Sequence, residues 1–193
     1  MQHAPAGAPQ ARPLFGGSLS AVLPHSSVDT SELREIPDNQ EVFAHALTDQ
    51  SLIIELVEFQ AQVPDQDAAR YHFEDIAGSN KAAEQGGFQV AGVEPVSQAD
   101  LSLSDCSSAW ILSGTQCVSK FNEEAKNTVT IHLALLRLPQ FSTDVLISFN
   151  DPQSISPSSS SAASAGAHAQ PWTQQDFQRL VQTLTLHDPG LFG

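Results

Sequence analysis

Basic residues are scarce: eight Lys and Arg stand against 22 Asp and Glu in 193 residues, a formal net charge of −14. Such a surface repels phosphate backbones, so no direct nucleic-acid binding is expected. It attracts and steers a basic protein partner, though acidity also simply keeps a protein soluble. Cysteine is nearly absent. Cys106 and Cys117 have no CxxC or Cys/His company, which excludes a zinc site or a disulfide framework and leaves two reduced thiols on or near strands. No apolar run approaches the roughly 18 residues of a membrane helix. The opening MQHAPAGAPQARP lacks a charged start followed by an apolar stretch. A soluble protein of the cytosol or nucleus, without membrane insertion, is therefore the expectation. No GxxxxGK[ST], HExxH or GxSxG occurs, and His25, His45, His72, His132 and His187 fall in different predicted elements. Neither a cofactor, a metal nor a nucleophilic serine is expected.

What is present suffices for a core, since 40% of residues are hydrophobic. Residues 1–12 read as a disordered tail and 13–193 as a single domain. Within it, DPQSISPSSSSAASAGAHAQP (151–171) holds almost no large apolar residue, so burial cannot offset its ordering entropy and a flexible loop is predicted. LFGGSLSAVLP reads as a strand or strand pair bent at Gly16–Gly17, and DTSELREIP as a short helix capped by Asp29 or Thr30. Strands are predicted at EVFAHAL, FQVAGVEPV, SAWILSG, TVTIHLALLRL and DVLISFN, the last two as a hairpin with both faces of the first partly covered. Helices are predicted over 68–76, with Phe73 and Ile76 inward, and over WTQQDFQRLVQTLTL, which Thr173 and Asp176 open as a capping box. The pattern is α+β, a largely antiparallel sheet layered with helices.

The stretch TDQSLIIELVEFQ places Glu55 and Glu58 inside the most apolar run of the chain. At 100° per residue, Leu52, Ile53, Leu56, Val57 and Phe59 share an arc, which predicts an amphipathic helix. On that wheel Glu55 and Glu58 project together into solvent, extended by Ser51 and Gln62. That geometry opposes an acid–base pair, which needs a cleft and divided environments. Ile54 falls on the same outward sector, so an apolar centre with a charged rim, or an isoleucine covered by another loop, are the two readings.

Six segments in order, LFGGSLSAVLP, DTSELREIPDNQEVF, TDQSLIIELVEFQ, ARYHFEDI, ALLRLPQFSTDVLISFN and FQRLVQTLTLHDPGLF, resemble the Ran guanine-nucleotide release factor family. The resemblance runs from about Leu14 to the C-terminus, and the tail and Ser/Ala-rich segment do not share it. It implies an α/β/α sandwich around a six-stranded, mainly antiparallel sheet similar to PsbP. It further implies a protein that binds the small GTPase Ran, promotes loss of its nucleotide and works in nucleus and cytoplasm without covalent chemistry; a monomer is expected. Glu55 and Glu58 match acidic residues implicated in Ran binding, with Ile54, Asp38 and Glu41 completing the expected surface. The family's vertebrate members also imply an alternative, an adaptor that engages a sodium-channel cytoplasmic loop and promotes its surface delivery. A small hydrolase or lyase with an unrecognised pocket is the third class, and a deep cleft with perturbed carboxylates or histidines would mark it.

Overall fold

The computed structural model describes residues 10–79, 88–118, 127–154 and 170–193. Its strands are β1 (Ala11–Leu14), β2 (Leu19–Val22), β3 (Ser27–Asp29), β4 (Gln40–His45), β5 (Ser51–Glu58), β6 (Phe88–Pro95), β7 (Ser108–Val118), β8 (Asn127–Leu138), β9 (Thr143–Ser154) and β10 (Thr185–Leu186). Among the described residues there are two α-helices, α1 (Asp65–Ser79) and α2 (Gln174–Thr183). Seven strands form one antiparallel sheet in the order β3-β4-β5-β9-β8-β7-β6, and β1-β2-β10 form a second. Among the described residues the main sheet thus has one strand more than the expected six. The layered α+β class is as expected: α1 covers one face, while α2 and the small sheet cover the other.

Two cores follow from strand alternation. Along β8, Ile131, Leu133 and Leu135 pack under Ala68, Ala69 and Phe73 of α1. The intervening Ala134, Leu136 and Leu138 pack with Phe177, Leu180 and Leu184 on the α2 side. Helix α2 begins with the predicted capping box. Thr173 Oγ accepts from the Asp176 N–H at 3.2 Å and Asp176 Oδ2 accepts from the Thr173 N–H at 2.8 Å. The bend between β1 and β2 uses positive φ at Gly16 (68°) and Gly17 (94°), conformations that a Cβ penalises.

On the other face, Phe73 lies so close to Gly114 of β7 that a Cβ there would stand 2.8 Å from its ring and 2.6 Å from the Gln89 carbonyl oxygen. Gly114→Ala is therefore expected to lose about 1–3 kcal/mol by overpacking, read as a lower urea midpoint with an unchanged m-value.

Three sequence expectations need correction. Ala11 and Arg12 belong to β1, so the tail ends earlier than residue 12, and residues 1–9 lie outside the described residues. Strand β9 continues to Ser154, so residues 151–154 are sheet and not loop; 155–169 lie outside the described residues. Gln50, 4% exposed, fixes both flanks of that segment. Its amide donates to Asp151 Oδ1 (3.1 Å) and the Trp172 carbonyl (2.9 Å), and its Oε1 accepts from the Trp172 N–H (2.7 Å).

The largest correction concerns residues 51–58, which form strand β5 and not a helix. β5 lies inside the sheet, paired with β4 and β9, buried on the α2 side at Leu52 and Ile54 and half-buried on the α1 side at Ile53 and Val57, so its apolar residues run on without a period-two gap. A short buried strand and a helix segment cannot be told apart by periodicity alone. The eight-residue length and the β-branched Ile53, Ile54 and Val57 favour the strand.

Candidate functional site

Strand geometry redistributes the expected surface. Residues three apart share a helix face but lie on opposite faces of a strand. Glu55 therefore points to the α1 side. There Gln40 Nε2 donates to its Oε2 at 3.2 Å, and burial raises its pKa, opposed by that hydrogen bond and reinforced by Asp75. Glu58, at the exposed end of β5, belongs to the α2 side. Ile54 is fully buried between Glu41 and Ile147 in the strand register, so the outward placement is wrong and the reading in which other structure covers it holds. Glu41 shares the α2 side, but Oε1 accepts from the Phe15 N–H at 2.7 Å, which commits it to the β1–β2 turn.

Asp38 and Glu58 do come together. Asn39 extends the β4–β5 ladder by two bonds: its carbonyl accepts from the Leu56 N–H (2.9 Å) and its side-chain amide donates to the Leu56 carbonyl (3.0 Å). That pairing holds exposed Asp38 beside the end of β5. Both carboxylates edge a hollow of about 430 Å³ floored by Leu56, Phe141, Leu191 and Phe192. The rings of Phe141 and Phe192 stack with centroids 4.8 Å apart and planes 17° from parallel. Each comes from a short 3-10 turn, Pro139–Phe141 and Pro189–Phe192, the latter capped by Asp188 Oδ1 accepting from the Gly190 N–H. An aromatic floor with an acidic rim has the anatomy of a protein-binding hot spot.

Sequence reasoning missed these aromatics and also missed what stabilises the segment after Glu58. Arg137 of β8 is 1% exposed. It donates through Nε to Asp144 Oδ1 (3.0 Å), through Nη1 to the Val63 carbonyl (2.7 Å) and Asp65 Oδ1 (3.0 Å), and through Nη2 to the Gln60 carbonyl (2.7 Å). Its guanidinium lies 4.3 Å from the centre of the Phe59 ring. His72 Nε2 donates to Asp144 Oδ2 at 3.0 Å. Burial by itself would raise the Asp144 pKa, but the hydrogen bonds from His72 and Arg137, with their charges, outweigh it and hold the carboxyl below the usual carboxylate range. One cation thus ties the β5–α1 connection to the β8–β9 hairpin.

Three further histidines among the described residues, His45, His132 and His187, are also hydrogen-bonded. His45 Nδ1 accepts from the Leu47 N–H, so Nε2 carries the proton and donates to the Gln170 carbonyl. His132 bonds Ser113, and His187 bonds Ser20. Among the described residues no group of three or more His, Cys, Asp or Glu is placed to hold a metal ion, and no helix is long and apolar enough to cross a membrane. Cys106 and Cys117 are free thiols, the former buried.

The model of the family described as Ran-interacting Mog1 protein matches residues 12–152. A Ran guanine nucleotide release factor of Danio rerio is 66% identical over 182 residues, covering 94% of this chain and 99% of that protein. The Homo sapiens protein of the same name is 49% identical over 187 residues, covering 94% and 95%. The crystal structure of the Saccharomyces cerevisiae Ran-binding protein Mog1p superimposes with a TM-score of 0.69 at 27% identity, over 97% of this chain and all of that one. From β1 to the end of the main sheet, the chain belongs to the Ran-interacting Mog1 family.

Proposed function

We propose that this protein binds Ran and promotes release of its guanine nucleotide, acting in transport between nucleus and cytoplasm as a monomer that performs no covalent chemistry. The observation that carries this reading is the aromatic hollow of Phe141 and Phe192 edged by Asp38 and Glu58, on a chain of net charge −14. A basic face of Ran supplies the complementary charge, and the rings supply the desolvated centre. Neither Glu55 nor the buried His72–Asp144 pair lines that hollow, so its chemistry is recognition.

Release follows from linkage. If the nucleotide-free GTPase binds this surface more tightly than the loaded one, nucleotide and factor weaken each other by the same ratio. Each tenfold needs about 1.4 kcal/mol of differential affinity. The test is release of a fluorescent guanine nucleotide from Ran as this protein is added in excess. Acceleration that saturates with concentration is the expected result. An unchanged release rate together with measurable Ran binding would leave a Ran-binding protein without release activity; no binding at all would overturn the proposal. The alternative of a sodium-channel trafficking adaptor draws on no feature of this hollow.

A further inference from the structure

A second hollow lies away from that surface. Strands β6 and β7 extend the sheet past the cover of α2 and leave a groove of about 480 Å³ between them and the helix. Its floor is Ile111, backed by the buried Val181, and its sheet side carries small residues, Gly92 and Ser113, directly opposite each other in the β6–β7 register. The helix side presents Gln174, Gln178 and Gln182, all exposed, at four-residue intervals along one face of α2. Glu94 and Asp100 stand at the sheet side, and none of the lining residues is basic.

Those features select a ligand. Four residues of helix rise about 6 Å, close to the roughly 6.6–6.8 Å that separates every second residue of an extended chain. Each glutamine amide offers both a donor and an acceptor, as each peptide unit does. A row of three therefore meets the main chain of an extended peptide at successive alternate residues. Ile111 offers a half-buried apolar surface to an aliphatic side chain, and the two carboxylates attract a cation. Addition of a strand to the outer side of β6, the last strand of the described sheet, is the less suitable mode, because the register breaks between Val90 and Gly92 and Pro95 ends the strand. We infer that the groove between β6–β7 and α2 is a second docking site, for an extended aliphatic peptide segment carrying Lys or Arg. Its lining shares no residue with the Phe141–Phe192 hollow. Strands β9 and β8 lie between β5 and β7, a lateral separation of about 15 Å, so the two sites can be occupied together.

The probe is acetyl-Leu-Lys-Leu-Lys-Leu-amide, with acetyl-Leu-Glu-Leu-Glu-Leu-amide as its charge-reversed counterpart, titrated into the isotope-labelled full chain and followed by NMR. The lysine peptide is expected to shift the backbone amides of Gly92 and Ser113 and the side-chain amides of Gln174, Gln178 and Gln182. The glutamate peptide should bind about tenfold more weakly or not at all. Gly92→Phe fills the groove; no atom stands within 4 Å of a Cβ placed there and the backbone is not in the left-handed region, so the strand tolerates it. That variant, and separately Glu94→Lys/Asp100→Lys, should each weaken the lysine peptide by about tenfold, while Asp38→Lys/Glu58→Lys should not. Equal binding of both peptides, shifts spread over the acidic surface, no shift at all, or wild-type binding by folded Gly92→Phe would each overturn the inference.

Discussion

Reversing Asp38 and Glu58 to lysine is expected to slow association with Ran by about ten- to a hundredfold at low ionic strength, and to flatten its salt dependence. Glu55→Lys, made alone, should leave the association rate within about twofold of wild type. The contrast follows from the pleat of β5. Glu58 shares its face and its hollow with Asp38 and the two stacked phenylalanines, whereas Glu55 faces α1 and is bonded to Gln40. A helical arrangement would make the two glutamates interchangeable. Stopped-flow association at several salt concentrations separates the cases. Equal losses from Glu55→Lys and Glu58→Lys in folded proteins would place Ran contacts on the α1 side and sink the hollow as the recognition centre.

Arg137→Met should be the most destabilising single change described here, with a loss of about 3–5 kcal/mol and a fall in Tm of roughly 10 °C. The substitution keeps the aliphatic bulk but leaves Asp144 buried at 0% exposure without its guanidinium, and strips partners from the carbonyls of Gln60 and Val63. Adding Asp144→Leu to it should recover part of the loss, because the buried carboxylate that has lost its guanidinium, and keeps only His72 as a side-chain partner, is then gone. A pH dependence accompanies this. The Asp144 pKa is depressed in the folded state, so the unfolded chain binds more protons in the window below the ordinary carboxylate value of about 3.9. Its contribution is complete above that value and is lost as pH falls towards the folded pKa. In the Arg137→Met/Asp144→Leu protein, that part of the acid destabilisation should be missing. Chemical unfolding at pH 7 and at about pH 3 tests both statements, and an Arg137→Met protein as stable as wild type would refute the role given to the cluster.

How much of this was legible beforehand varied with how local the signal was. The capping box of α2 and the double-sided burial of β8 are written in adjacent residues, Thr173 with Asp176 and Ile131 through Leu138, and both appear in the structure as expected. β5 misled because central strands hide their period: with Leu52, Ile54 and Leu56 on one side and Ile53 and Val57 on the other, apolar residues occupy both faces. The site suffered from that error directly, since the pairing of Glu55 with Glu58 and the exposure of Ile54 were properties of the wheel. Phe141 and Phe192 gave no signal because the hollow draws on four separate stretches, near residues 38, 57, 142 and 191. Arg137 was hidden for the same reason, its acceptors at Gln60, Val63 and Asp65 lying more than seventy positions away. The resemblance nevertheless led to the right family and layered class, which depend on ordered segments and not on any one orientation.

The clasp made by Gln50 has a consequence for chain length. By bonding Asp151 on one side and Trp172 on the other, it holds the two points between which residues 155–169 run, and does so from a buried position in the core layer. The ends of whatever is strung between them are brought together by the domain itself. For a chain closed in that way the entropic cost grows only with the logarithm of its length, about 0.6 kcal/mol for each doubling. Additional residues there would leave β9, α2 and the hollow in register, so this junction can lengthen at little thermodynamic cost while the surfaces on either side keep their geometry.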